Sequence, residues 1–324
     1  MRRLWLPVAA AVTALLGAGG ALFASALPTS ADDGSLPRYK HVFSIVEENR
    51  EYSQIVGNPG APNLNRLANA YGLATAYDGT SHPSEPNYVA MIGGSDYGIK
   101  DDAPYNSAGH TVNQPGLPSQ LEGAGLSWKS YQQSLPYPGF TGTAFPTAAN
   151  ALYASKHNGF MNFASVQNSP SELAKVVPID QLSTDLASGT VPSFSFIAPD
   201  QCHDMHGLAS CPDAATNVTV GDAYAGQLVH AIMSSQTWKQ GQNAIVVTFD
   251  EGNTNLGCCD ANPGGGRVLT VVITNHGARG VQDPTPANHY SMLQTIEQVF
   301  GLGCIQNTCD TANVKPLTRL FATE

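Results

Sequence analysis

Tyr39-Lys40-His41-Val42-Phe43-Ser44-Ile45-Val46 is a mostly apolar run that stops at Glu47-Glu48-Asn49. Ala244-Ile245-Val246-Val247-Thr248-Phe249 stops in the same way, at Asp250-Glu251-Gly252. Short apolar runs closed by polar turns predict strands buried on both faces, the kind found in parallel sheets. Both acidic pairs then fall at the carboxyl ends of strands, the edge where open α/β sheets place their ligands. Carboxylate and amide oxygens gathered at one edge, with few cations to neutralise them, suit a hard or borderline divalent metal.

Working outward, Pro62 to Tyr71 has helical spacing of Leu64, Leu67 and Tyr71, with Gly72 as a stop. Leu73 to Tyr77 reads as a strand leading into His82-Pro83-Ser84-Glu85-Pro86-Asn87-Tyr88, followed by the apolar Val89-Ala90-Met91-Ile92 and Gly93-Gly94. The prolines and serine mark a helix start. Ser84 is therefore expected at a helix N-terminus, where backbone N–H groups and the dipole favour an anion. A lone serine there is usually only a cap. In company with two acidic pairs it becomes a candidate nucleophile for attack on phosphate.

A short helix around Leu121, a strand over Ser193–Ala198 and a helix from about Asp222 to Trp238 follow. A strand over Arg267–Thr274 and a helix over Tyr290–Phe300 complete the pattern. This alternation predicts one large α/β domain over residues 32–324. From Trp128 to Phe163 the pattern dissolves into Tyr, Pro, Gly and Phe. The stretch of about 126–165 reads either as a cap over the site or as a packed surface lobe.

Met1-Arg2-Arg3, the apolar Leu4–Leu16 and the small residues Ala24-Ser25-Ala26 or Thr29-Ser30-Ala31 read as a removable export signal, with cleavage after Ala26 or Ala31; a retained anchor is the alternative, since the apolar stretch runs on toward Ala26. No second stretch is apolar for long enough to span a bilayer, so no stable membrane anchor is expected. The formal net charge is −10, and loss of Arg2 and Arg3 makes it more negative. Such acidity argues against nucleic acid as a partner and against electrostatic attraction to an anionic membrane. Six cysteines in an exported chain favour disulfides. Cys202 with Cys211 and Cys304 with Cys309 would close short loops and leave Cys258 to Cys259. Crossed bonds between these loops are the alternative, and Cys-x-x-Cys zinc spacing is absent.

The ordered set Glu48-Asn49, His82 to Tyr88, Asp250-Glu251 and Asn288-His289-Tyr290-Ser291 resembles the bacterial phosphoesterase family of secreted acid phosphatases and phosphate-headgroup phospholipases C. That family is related to the alkaline phosphatase superfamily. The resemblance runs from about His41 to about Gly303, and is greatest with compact members, including phosphatidylinositol-3-phosphate phosphatases. It implies an alkaline-phosphatase-like three-layer sandwich around a mostly parallel central sheet.

It also implies roles for residues. Ser84 would attack phosphorus and form a phosphoserine. One divalent metal would be held by Glu48, Asn49, Asp250 and Glu251 and would touch the Ser84 hydroxyl. Asn87 would stabilise the equatorial oxygens. Asp204, His206 and His289 are read as phosphate-site groups rather than ligands of a second metal, with His206 or His289 protonating the leaving oxygen. His82 and His157 are expected to contact substrate. Tyr153 to Phe160 resembles a Lys-His-Asn-Pro-Phe element of the family, with Gly159 where the proline would stand. The implied function is a secreted, monomeric phosphomonoesterase acting on a small phosphomonoester or a phospholipid headgroup. A phospholipase C and a non-catalytic binding module are the alternatives.

Overall fold

A computed structural model describes residues 36–212 and 216–323; the proposed export signal lies outside them. Eight strands form the central sheet, in the order Val281–Asp283, Gly72–Ala74, Thr270–Thr274, Asn243–Phe249, His41–Glu47, Phe194–Ala198, Trp128–Gln132, Val176–Pro178. All adjacent pairs are parallel except that Thr270–Thr274 runs antiparallel to both of its neighbours. The central strands His41–Glu47 and Asn243–Phe249 are buried along their whole length, as their lack of alternation requires.

The sheet has helices on both faces. Ser44 and Thr248 look toward Met91 of helix Ser84–Gly93 and toward Met292 and Ile296 of helix His289–Phe300. Glu47, an odd step along the same strand, faces the other way and is close enough to Asp222 of helix Asn217–Ser234 to feel its charge. This is the expected three-layer arrangement. No helix among the described residues is long and apolar enough to cross a membrane.

Several boundaries differ from the sequence reading. Trp128–Gln132, assigned above to an irregular insertion, is a strand inside the sheet. Its polar residues hide it: Ser130 and Gln132 are buried, and the Gln132 amide donates to Ser130 Oγ at 2.8 Å. The segment expected as one strand over Leu73–Tyr77 breaks in two, and Tyr77–Asp78 pairs instead with Ala287–Asn288. The long helix begins at Asn217 rather than near Asp222. The rest of the insertion includes an antiparallel hairpin, Ala144–Thr147 with Asn150–Ala154. The three disulfides are the local ones, Cys202–Cys211, Cys258–Cys259 and Cys304–Cys309, and the crossed alternative is not adopted.

Candidate active site

Register brings the acidic pairs together. Glu47 stands beside Phe249 in a parallel pair, so Glu48 and Asp250 leave the sheet side by side, and the Asp250 N–H donates to the Glu47 carbonyl at 3.0 Å. Asn49 then takes a left-handed backbone, φ 44°, which asparagine tolerates better than most residues. That turn aims its N–H at Asp250 Oδ1 (3.1 Å) and its amide at Glu251 Oε1 (3.1 Å). From the loop that follows the next parallel strand, Phe194–Ala198, the Asp204 carbonyl accepts the Glu48 N–H at 2.7 Å. The Asp204 loop is thus pinned to the same edge.

Ser84 is the first residue of a fully buried helix, Ser84–Gly93. Proline is harmless in a first turn, where N–H groups have no intrahelical partner, so Pro86 is accommodated. Gly94, φ 71°, ends the helix in the left-handed conformation. The serine hydroxyl is 1% exposed as a residue and meets Glu48 Oε2 at 3.1 Å, Asn49 Oδ1 at 3.4 Å and Glu251 Oε1 at 3.4 Å. The helix axis points its N-terminus at the acidic edge. Asn87 lies one turn in but has no amide atom to spare for substrate. Its Oδ1 accepts from Thr80 N–H, Thr80 Oγ1 and Ser81 N–H, and its Nδ2 donates to the Ser81 and Pro83 carbonyls. Asn87 builds the turn that presents Ser84.

The histidines divide into three kinds. His82 donates from Nδ1 to Glu251 Oε2 and from Nε2 to the Thr254 carbonyl. With a carboxylate and a carbonyl on its two nitrogens it is held protonated, its pKa raised to about 9 chiefly by Glu251. His289 is fully buried, with Nε2 on the Asp250 carbonyl (2.5 Å) and Nδ1 on the Tyr77 hydroxyl (3.1 Å). Burial lowers it to about 4, so it is a neutral brace for Asp250 with both nitrogens occupied. His157 and His206 face the cluster. His157 Nε2 is 3.3 Å from Glu48 Oε1, its Nδ1 is 3.5 Å from Asp204 Oδ2, and its ring lies 5.8 Å from that of His206. Burial pushes both below the ordinary histidine range.

Glu48, Asp204 and Asp250 are all buried, and each is driven well above the usual carboxylate range by burial and by neighbouring charge, Asp250 and Asp204 for Glu48, Asp200 and Asp250 for Asp204, and Glu251 for Asp250. Two of their oxygens, Asp204 Oδ2 and Asp250 Oδ2, have no hydrogen-bond partner, and neither does His157 Nε2. Buried acceptors left unpaired are costly. Around Ser84 the problem is sharper, since three acceptor oxygens surround a hydroxyl with one proton to give. A cation among them resolves it. Glu48, His157 and Asp204 also each offer a ligand atom within 4.8 Å of the others. The donor set, oxygens and one imidazole, fits a hard or borderline divalent ion.

Tyr88, Lys156, Asp102 and Arg50 have no role in the sequence reading. Tyr88, one helical turn from Ser84, donates to Glu48 Oε1 at 2.5 Å and stacks on His157 with ring centroids 5.4 Å apart. Its i+4 spacing from Ser84 was the available signal. Lys156 pairs with Asp102 (2.9 Å), and Asp102 accepts the Glu85 N–H at 3.0 Å beside Ser84. Burial opposes the Lys156 charge, but Asp102 and Glu48 more than compensate and raise its pKa. Arg50 donates to the Met205 carbonyl at 2.7 Å and keeps a buried Nε without a partner. Gly159, where the resembling element has proline, is where the chain crosses the Ser84 helix; a Cβ there would lie 2.4 Å from the Tyr88 carbonyl oxygen.

Comparison with known proteins bears on family and fold. The profile of the phosphoesterase family matches residues 58–303, a span that takes in Ser84, Asp204, Asp250 and His289. The chain is 31% identical over 290 residues to phosphatidylinositol-3-phosphatase of Mycobacterium tuberculosis, covering 89% of this chain and 84% of that one. It is 27% identical over 266 residues to an acid phosphatase of Aspergillus fumigatus, covering 82% of this chain but only 55% of the fungal protein. The fold is similar to that of a protein in the alkaline phosphatase superfamily from Vibrio parahaemolyticus, with TM-score 0.58 and 13% identity over 88% of this chain and 71% of that one. An acidic strand edge, a serine at a facing helix N-terminus and these matches lead to one conclusion: the chain belongs to the phosphoesterase family.

Proposed function

We propose that the chain is a secreted, metal-dependent phosphomonoesterase that works through a phosphoserine on Ser84. The observation that carries this reading is the Ser84 hydroxyl at a helix N-terminus among oxygens of Glu48, Asn49 and Glu251. Glu48, Asn49, Asp250 and Glu251 would hold the metal. When bound, that ion supplies positive charge that favours the ionised serine.

The chain's own groups account for the remaining steps. Ser84 Oγ attacks phosphorus in line as the bond from phosphorus to the leaving alcohol breaks, and its proton passes to Glu48 Oε2. The Ser84 N–H at the helix N-terminus, with Lys156 and Arg50 nearby, balances charge on the outer phosphate oxygens; the Glu85 N–H is held by Asp102 and Pro86 has none. His206, whose Nδ1–H donates to the Gly207 carbonyl, protonates the leaving oxygen from Nε2 as an imidazolium that the charge of the bound phosphate favours, and regains that proton from the attacking water, while Glu48 returns its proton to Ser84 Oγ. Water then attacks the phosphoserine, the Ser84 Oγ–phosphorus bond breaks, and orthophosphate leaves. His82 supports this by holding Glu251 in place. The names of the relatives, phosphatidylinositol-3-phosphatase and acid phosphatase, support this reading. The basic, apolar N-terminal stretch and three disulfides support export.

The test is a direct substrate comparison. The purified chain should release inorganic phosphate from a small phosphomonoester and act at least about a hundredfold more slowly on phosphatidylcholine, a discrimination worth about 2.7 kcal/mol. Equal or faster formation of diacylglycerol and phosphocholine would make a phospholipase C the better reading.

A further inference from the structure

Residues 130–155 contain no Asp, Glu, Lys, Arg or His, the longest such run among the described residues, in a chain of net charge −10. Within it, Phe145, Pro146, Thr147, Ala148 and Ala149 are exposed one after another at the end of the hairpin. Tyr137 (56% exposed) and Phe145 (38%) are two of the three large apolar side chains that stand out from the surface. They belong to one aromatic patch. Phe140 meets Tyr137, Phe145 and the buried Tyr153 edge to face, at centroid distances of 5.4, 6.2 and 5.9 Å.

This patch is fixed to the rim of the active site. Strand Asn150–Ala154 runs directly into Ser155, Lys156 and His157. The Ser155 N–H donates to the Thr143 carbonyl at 2.9 Å, and the Tyr105 hydroxyl donates to the Thr141 carbonyl at 2.6 Å. The hairpin base is therefore held while its apolar end projects.

The geometry points to a docking element: we propose that this hairpin, with Tyr137 and Phe140, inserts into the headgroup region of an uncharged phospholipid surface and brings the catalytic edge to a lipid-borne phosphomonoester. The substrate half of this statement rests on the phosphomonoesterase reading. Charge selects the occupant. Protein interfaces surround an apolar centre with a charged, hydrogen-bonding rim, and no ionisable side chain lies anywhere in this run. An acidic molecule gains nothing from a charged membrane through its other faces. Uncharged aromatic and small residues, with tyrosine at the boundary, are what a neutral lipid interface accepts. Binding through so few side chains should be reversible.

The experiment sediments the full chain with phosphatidylcholine vesicles and compares it with the Tyr137→Ser, Phe145→Ser and Tyr137→Ser/Phe145→Ser forms. Turnover of a soluble phosphomonoester is measured in parallel. We expect the parent chain to bind vesicles with little dependence on salt and the double variant to lose at least tenfold in partitioning. Hydrolysis of a monoester lipid embedded in those vesicles should fall in step, with soluble turnover unchanged. Failure of the parent to bind, binding that vanishes with salt, or equal binding by the double variant would overturn the proposal. So would a parallel loss of soluble turnover, which would make the hairpin part of the catalytic site, or a shift from dimer to monomer, which would make it a self-association surface. Absence of soluble turnover in the parent would count against the phosphomonoesterase reading, leaving vesicle binding to judge the docking surface.

Discussion

Ser84 and His289 each occupy the first position of a long buried helix, each follows a turn at the edge of the sheet, and each has an asparagine at work in that turn. Asn87 holds residues 80–83 in front of one helix; Asn288 caps the other through the N–H groups of Tyr290 and Ser291. The two polar side chains nevertheless end in opposite conditions. His289 has an acceptor on one nitrogen and a donor on the other. Ser84 is surrounded by more acceptors than it has protons. A group whose hydrogen-bonding capacity is matched is scaffold; a buried group left mismatched is where a missing partner, metal or substrate belongs.

The largest effect should come from the mismatched side. Ser84→Ala is expected to lower turnover by about 10⁴-fold or more while leaving folding intact, because it removes the attacking atom itself. Near-normal rates in the purified variant would remove the distinction between the two helices. Asp250→Asn tests the same edge one step further out: metal content by elemental analysis should drop together with activity, by about 10²-fold or more. An unchanged metal-to-protein ratio would place the ion elsewhere, with Glu48, His157 and Asp204 as the next candidates.

On the matched side the cost should be structural. His289→Ala leaves the Asp250 carbonyl and Tyr77 hydroxyl without partners and should destabilise the fold by about 1–3 kcal/mol. Residual activity should track the folded fraction, and a normal melting temperature with abolished turnover would move His289 into the chemistry. The smallest effect concerns the far end of the same helix. Glu297 is buried, takes one hydrogen bond from Gln120, and has its other oxygen unpaired; burial raises its pKa from 4.5 to about 7. Between those values the folded chain keeps a proton that the unfolded chain has released, so stability falls as pH rises through this window and levels off above it. Glu297→Gln should therefore unfold later than the parent at pH 8, by about 1–2 kcal/mol, with the gap closing below pH 4.5. A gap that is the same at both pH values would contradict this assignment.

Much of this comparison was legible in the residues. Apolar runs ending in Glu48-Asn49 and Asp250-Glu251 announced buried strands with a ligand edge, because a strand buried on both faces has a one-dimensional signature. Ser84 was marked by its prolines. The work of Asn87 and His289 was not legible: Asn87 is satisfied by the fold of the turn just before it, at Thr80, Ser81 and Pro83, and His289 by Asp250 and by Tyr77 from far along the chain. Trp128–Gln132 escaped because two of its inward residues are polar and find partners within the fold. Lys156 escaped because a single lysine in an aromatic stretch says nothing about the three carboxylates it will face.

The central claim is that Ser84 carries the phosphoryl group between the two half-reactions. Acid quenching of the enzyme during turnover of a phosphorus-labelled monoester, followed by peptide mass spectrometry, tests it most directly. The account predicts label on the peptide containing Ser84, and none in Ser84→Ala. Label on His157, His206 or any other residue, or full turnover with no covalent label at any time point, would contradict it.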